Sequence, residues 1–268
     1  MVATEAEKIR KQVNFYFSDS NLPYDKFLWT LRANTPEGWI PLETIASFKK
    51  MKMITEDFDT IVKALKEVES EIYQVDEEGK NIRRKSEVVQ QNHVERSIYV
   101  KGLPLVDADA KDPIAELFKL QDKVDDFFSE KGYTVLCVRM KKNDEKPKKF
   151  KGSCYIEFSS PEEAKKVAEE ATVEFDGNKL EILYKPRYHE LKAEQYKDSP
   201  IRKHNKSFNA FKPNAQFTSN KRKNQGGFNN NNSKKTKTEE GEETKQEPVA
   251  AEAAAEAAPA AEEAKKEE

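Results

Sequence analysis

The sequence predicts an α+β chain: a winged-helix-like unit, then a βαββαβ unit, then a disordered C-terminal tail. Three observations carry this expectation. Of the 26 aromatic residues, 22 lie in the first 198 positions, enough for two small cores of about 90 residues each. Helical periodicity in the first part gives way to a hairpin, and strand and helix patterns alternate in the second. Beyond Ser199 the composition changes: ten Lys/Arg and no Asp/Glu to Thr238, then eleven Asp/Glu against three Lys from Glu239 to Glu268. The formal charge of -2 is thus -4, +10 and -8 in succession, and the tail is too polar to collapse.

The first unit spans residues 1–90. Ile9, Val13, Tyr16 and Phe17 take the i, i+4, i+7, i+8 spacing of one helical face and leave Phe15 off it. Tyr24, Phe27, Leu28 and Leu31 set a second helix, and Leu42, Ile45 and Phe48 a third. Phe58, Ile61, Val62, Leu65 and Val68 set a fourth, with Asp57 as its N-cap. Glu71–Val75 and Asn81–Arg83 then read as strands about the turn Asp76-Glu77-Glu78-Gly79. Helices closed by a hairpin suggest a winged helix, a fold whose members mostly bind nucleic acid, although fold alone does not decide function.

Phe15, Tyr16, Tyr24, Phe27 and Phe48 put more ring surface near the first two helices than such a core needs, and Gln12, Asn21 and Asp25 are interleaved with them. That mixture suits a pocket for a stacked base. The competing reading, rings as plain core, fits Phe17 and Tyr24 better than Phe15.

Residues 91–96 are read as a linker, within a polar stretch from Lys85 to Arg96 suited to a hinge, and residues 97–198 as the second unit. Ile98–Leu103 and Lys151–Phe158 alternate apolar and polar positions. Between them fall a helix over Ile114–Phe128 and a strand over Tyr133–Met140; after them come a helix over Pro161–Ala171 and a strand over Lys179–Tyr184. The two alternating runs resemble the hexamer and octamer of an RNA recognition motif, and the element order is complete. If Ile98, Val100, Cys154, Ile156 and Phe158 face the helices, side-chain parity sends Tyr99, Lys101, Ser153 and Tyr155 to the open face. Ser153 stands where the octamer usually has an aromatic, so one stacking platform is missing. A sheet used as scaffold or protein-binding surface is the alternative.

Other classes drop out. No run of 18 apolar residues exists, so no membrane span or membrane partner is expected, and the first residues lack the pattern of a secretory signal. Cys137 and Cys154, with His93, His189 and His204 scattered, show no metal-ligand spacing, and two cysteines suit a reducing compartment. No paired carboxylates, phosphate loop or nucleophile triad stands out. The expectation is binding without catalysis, metal or cofactor.

The string from Gln12 to Leu28, QVNFYFSDSNLPYDKFL, resembles the La motif. The similarity continues through Gly38-Trp39-Ile40-Pro41-Leu42, Ile45–Phe48, Asp57-Phe58 and Ile61–Leu65, and covers about residues 5–90. The order of the following segments is similar to that of fungal members of the La family. The resemblance implies that Gln12, Phe15, Tyr16, Asp25, Phe27 and Phe48 line a pocket for RNA 3′-terminal uridylates, and that the sheet edge near Val138 helps to hold the RNA. Phe15 is often Tyr elsewhere in the family. Lys49, beside Phe48, is placed to meet a phosphate or to be a solvated lysine. RNA clamped between the two units would let two modest surfaces act on one tail.

The basic arm, 199–238, carries Phe208, Phe211, Phe217 and Phe228 among its cations, which suits transient binding to RNA bodies. Lys221, Arg222 and Lys223, ten residues, then Lys234, Lys235 and Lys237 resemble a bipartite nuclear import signal with an import receptor as partner. The acidic Ala/Glu-rich end, 239–268, is expected to be disordered and solubilising. The family resemblance implies a nuclear protein holding the ends of RNA polymerase III transcripts, shielding them from exonucleases and assisting precursor tRNA maturation and RNA folding. Alternatives are a La-related protein acting on other RNA ends, a winged-helix DNA-binding transcription factor, and an RNA-processing enzyme. The transcription factor would need a basic recognition helix, and Leu42 to Phe48 carries Glu43 and no Lys or Arg.

Overall fold

The computed structural model describes residues 4–107, 110–143, 148–197 and 207–212. Helix α1 (Glu5–Phe17) opens on a capping box, Thr4 accepting from the Glu7 amide while the Glu7 carboxylate takes the Thr4 amide. Its apolar stripe buries Ile9, Val13 and Phe17. A 3-10 turn (Leu22–Tyr24) follows, then α2 (Lys26–Ala33), β1 (Ile40–Pro41), α3 (Leu42–Ala46), α4 (Lys49–Lys52) and α5 (Phe58–Glu67), with Asp57 capping α5. Strands β2 (Tyr73–Val75) and β3 (Asn81–Arg84) form the hairpin, and β1 pairs on the other side of β3, giving the order β1-β3-β2. Gly79 in the hairpin turn has φ +76°, and a Cβ there would meet the Val62 methyl at 2.7 Å, so neither conformation nor space admits a side chain.

Two expected elements are shifted in a way that shapes the surface. Tyr24 belongs to the 3-10 turn, not to α2, whose N-cap is Asp25. The third expected helix is broken: α3 stops at Ala46 and Phe48 is the extended N-cap of α4. The break frees the Phe48 ring from helical spacing.

The second unit has β4 (Ser97–Lys101), α6 (Pro113–Glu130), β5 (Val135–Lys142), β6 (Phe150–Phe158), α7 (Pro161–Glu169), β7 (Thr172–Phe175), β8 (Asn178–Tyr184) and α8 (Lys185–Gln195). The antiparallel sheet runs β5-β6-β4-β8-β7. Its register sets Ile98 opposite Ile156, Tyr99 opposite Tyr155 and Val100 opposite Cys154. Ile98, Val100, Cys154, Ile156 and Phe158 enter one core with Val124, Phe128 and Val167 of the helices, as parity requires. Strand β7 and helix α8 are additions to the expected βαββαβ order: β7 is a four-residue strand alternating exposed and buried positions, and α8 buries only Lys185.

The segment joining the units is pinned at several points. Arg84 bonds Asp19 at 2.9 Å and the Phe17 carbonyl, Asp19 also accepts the Val89 amide at 2.9 Å, and Arg96 meets Glu157 at 2.6 Å. Six residues of the arm expected to be disordered are ordered: Asn209 accepts the Phe211 amide at 2.9 Å through its side chain and the Lys212 amide at 3.2 Å through its carbonyl. The expected acidic tail, 239–268, and the rest of the basic arm lie outside the described residues.

Candidate nucleic-acid interface

The rings near α1 and α2 form a connected run. Phe15 and Tyr16 have centroids 6.2 Å apart, Tyr16 meets Phe48 edge-on at 5.1 Å, and Phe48 lies 6.0 Å from Phe27. Exposure rises along the run: Tyr16 is 8% exposed, Phe48 is half-buried and Phe27 is 54% exposed. A phenyl ring so open at a helix start contributes little to a core. The buried Gln12, one turn before Tyr16, hydrogen-bonds the Tyr16 side chain, and burial raises that phenol well above its ordinary range.

Asp25 sits at this run because it caps α2. Its Oδ1 accepts the Phe27 amide at 2.9 Å and the Leu28 amide at 3.1 Å, and its charge is felt at Tyr16. Both bonds fall on one oxygen, so the carboxylate keeps acceptor capacity on the other. The helix start thus fixes a negative group among rings, favoured there by the positive end of the α2 dipole.

Six of the seven residues expected at the RNA end therefore gather: Gln12, Phe15, Tyr16, Asp25, Phe27 and Phe48. Lys49 points elsewhere. Its ammonium pairs with Asp112, the N-cap of α6, at 2.8 Å. Lys50 pairs with Asp122 and Lys11 with Asp125, each at 2.6 Å, so these three lysines face the acidic side of α6.

The sheet differs from expectation. Tyr99 and Tyr155 do share a face, 5.7 Å apart, but Tyr188 of α8 stacks on Tyr99 at 3.9 Å and 23°. Lys141 lies 5.0, 4.7 and 4.9 Å from the Tyr99, Tyr155 and Tyr188 rings and donates to the Tyr155 and Tyr188 hydroxyls at 3.2 and 3.0 Å. The expected open platform is therefore occupied by a side chain of the protein itself. Ser153 is buried on that face, and Lys101 remains exposed beside Glu181. Val138 lies on the edge strand β5, but its side chain is in the core and its carbonyl accepts from Gln121 at 2.9 Å. It thus offers no side chain at the edge.

Sequence reasoning missed the residues that join the units. Glu157, 4% exposed, accepts from Ser20 at 3.0 Å as well as pairing with Arg96. Arg139 on β5 donates to the Ser20 carbonyl and covers the Tyr24 ring at 5.7 Å. The Tyr24 hydroxyl lies 3.3 Å from His93 Nδ1. The one available signal was a glutamate inside an apolar strand, where an unpaired buried charge is prohibitive.

Burial pushes the Cys137 thiol up to about 11 and raises Cys154 too, so neither supplies a thiolate at neutral pH. No group of metal-ligating side chains and no helix long and apolar enough to cross a membrane occurs among the described residues. The residues of the expected import signal, Lys221, Arg222, Lys223, Lys234, Lys235 and Lys237, lie outside them.

The model of the La domain family matches residues 9–67. The Lupus La protein homolog A of Xenopus laevis is 31% identical over 196 residues, 70% of this chain and 42% of that protein. The Lupus La protein homolog of Mus musculus is 35% identical over 209 residues, 75% of this chain and 46% of that protein. The chain spans less than half the length of these relatives. A solved La autoantigen N-terminal domain is 36% identical, covering 33% of this chain and 96% of that chain, with a TM-score of 0.30.

Proposed function

This chain is a La-domain protein, and from that premise we propose that it binds RNA by its free 3′ end, reading terminal uridylates in the pocket of Gln12, Phe15, Tyr16, Asp25, Phe27 and Phe48. The observation that carries the reading is a capping carboxylate with a spare oxygen beside a run of rings that opens to solvent at Phe27. A terminal nucleotide offers two hydroxyls, 2′ and 3′, whereas an internal one has its 3′ oxygen esterified to a charged phosphate. Asp25 accepts from both hydroxyls, at about 1.5–3 kcal/mol for each charge-assisted bond. A 3′-phosphate is repelled, and DNA lacks the 2′ donor. Phe27 and Phe48 stack bases at about 1–3 kcal/mol each. Stacking does not choose among bases, so the amide of Gln12, both donor and acceptor, supplies the preference for uracil.

The cellular role that follows is a nuclear one: holding the uridylate ends of new RNA polymerase III transcripts, keeping exonucleases from them and assisting precursor tRNA maturation. Lys49 reaches RNA phosphate by leaving Asp112, an exchange of one surface pair for another with little net cost. The sheet face contributes through Lys101 and the β5 edge, because Tyr188 covers Tyr99.

The test compares oligouridylate ending in a 3′-hydroxyl with the same oligomer ending in a 3′-phosphate. The phosphate form is expected to bind at least tenfold more weakly, about 1.4 kcal/mol. Equal affinities would remove the reading.

A further inference from the structure

Asn21 lies among the pocket residues in sequence, yet its polar groups serve the backbone. It is buried, its side-chain amide donates to the Tyr16 carbonyl at 3.2 Å, and its own carbonyl accepts the Tyr24 and Asp25 amides at 2.9 and 3.1 Å. One residue thus ties the last turn of α1, which carries Tyr16, to the turn that presents Asp25. The residue before it is held from the second unit. The Ser20 hydroxyl, buried, donates to Glu157 of β6 at 3.0 Å, and Arg139 of β5 donates to the Ser20 carbonyl. Glu157 is in turn fixed by Arg96 at 2.6 Å. A buried carboxylate is costly unless it is paired and hydrogen-bonded, and here one of its bonds is made to the loop that leads into the pocket.

From this we infer that Glu157 is a positioning residue for the 3′-end pocket: it fixes Ser20, Ser20 fixes the backbone entering Asn21, and Asn21 sets Tyr16 and Asp25 relative to each other. The inference rests on the proposed function and deepens it, because it assigns part of the choice of a free 3′-hydroxyl to a buried side chain of the second unit. Hydrogen bonds weaken steeply with distance and angle, whereas a base stacked on Phe27 or Phe48 tolerates a small slide. A loosened loop therefore loses the bonds from the terminal sugar to Asp25 before it loses stacking, and the preference between RNA ends falls further than the grip on the chain.

The experiment uses the full chain and two variants. Ser20→Ala removes the donor and leaves Glu157 with Arg96; the conservative Glu157→Gln keeps an oxygen for Ser20 and removes the charge opposite Arg96. Each is titrated with a hexauridylate ending in a 3′-hydroxyl and with the same oligomer ending in a 3′-phosphate. Ser20→Ala is expected to lower the ratio of the two affinities by about three- to tenfold, the scale of one weakened hydrogen bond, with the phosphate form held within about twofold of the parent. Its Asp25 amide should exchange with solvent faster than in the parent. Glu157→Gln is expected to lower the denaturation midpoint more than Ser20→Ala does, yet to keep the ratio near that of the parent. An unchanged ratio, an unchanged Asp25 exchange rate, or an equal loss for both oligomers in Ser20→Ala overturns the inference. A ratio as low in Glu157→Gln as in Ser20→Ala traces the effect to the lost charge and overturns it too; should Glu157→Gln fail to fold, Ser20→Ala decides alone. Absence of 3′-hydroxyl preference in the parent chain would instead remove the pocket reading, and Asp25 exchange in Ser20→Ala would still decide the positioning.

Discussion

Asp25 does two jobs with two oxygens, and substitution can separate them. Removing the side chain, Asp25→Ala, takes away the cap from the Phe27 and Leu28 amides and should cost about 0.5–2 kcal/mol of stability. Asparagine caps as well as aspartate does, but its single oxygen is then engaged and its charge is gone. Asp25→Asn should therefore keep the unfolding free energy within about 0.5 kcal/mol of the parent while weakening binding of 3′-hydroxyl oligouridylate at least tenfold. Full affinity in the asparagine variant would assign Asp25 to the cap alone. The pairing of Asp25 with rings was legible in the sequence because side chains of unlike chemistry were interleaved over one short stretch. The engagement of Lys49 by Asp112 was not, since it joins positions 63 residues apart.

Periodicity revealed the elements well where they bury a full stripe, as in α1 and α5, and failed where burial comes from elsewhere. The break at Ser47-Phe48 has no periodic signal, because Phe48 serves the ring run and not the helix. Helix α8 buries only Lys185, so hydrophobic spacing could not announce it, yet its Tyr188 stacks on the Tyr99 ring. Tyr188→Ala should uncover Tyr99 and Tyr155 and raise affinity for single-stranded RNA with a blocked 3′ end by about tenfold, about 1.4 kcal/mol, within the range of about 1–3 kcal/mol for one stacked base. Filter binding with a 3′-phosphorylated oligoadenylate reads this directly. An unchanged affinity would mean that the sheet is a scaffold even when bare.

Across the whole chain, the two cores were foreseeable from the distribution of aromatics, but the junction between them was not. Apart from a glutamate inside an apolar strand, nothing in the sequence marks its members, because the fold brings Ser20 to Glu157 from 137 positions away. The junction also has a pH signature. Burial, then the nearby charges of Lys185, Arg139, Arg96 and His189, push His93 down from its ordinary 6.5 to about 4. The native state thus resists a proton that the unfolded chain accepts. Stability from this group is complete above pH 6.5 and is lost as pH falls toward 4. With the imidazole half exposed, screening leaves an effect on the order of 1 kcal/mol. Denaturant titrations at pH 6.5 and 4.5 should show a smaller stability loss for His93→Gln than for the parent; equal losses would place the titration elsewhere.

The shared glutamate at that junction makes the chain harder to dissect than its two cores suggest. Cutting at residue 90 leaves Ser20 facing water and Glu157 with one partner fewer. A fragment's poor grip on RNA would then mix absent surface with a loosened frame, so subtraction by truncation would overstate what the missing half contributes.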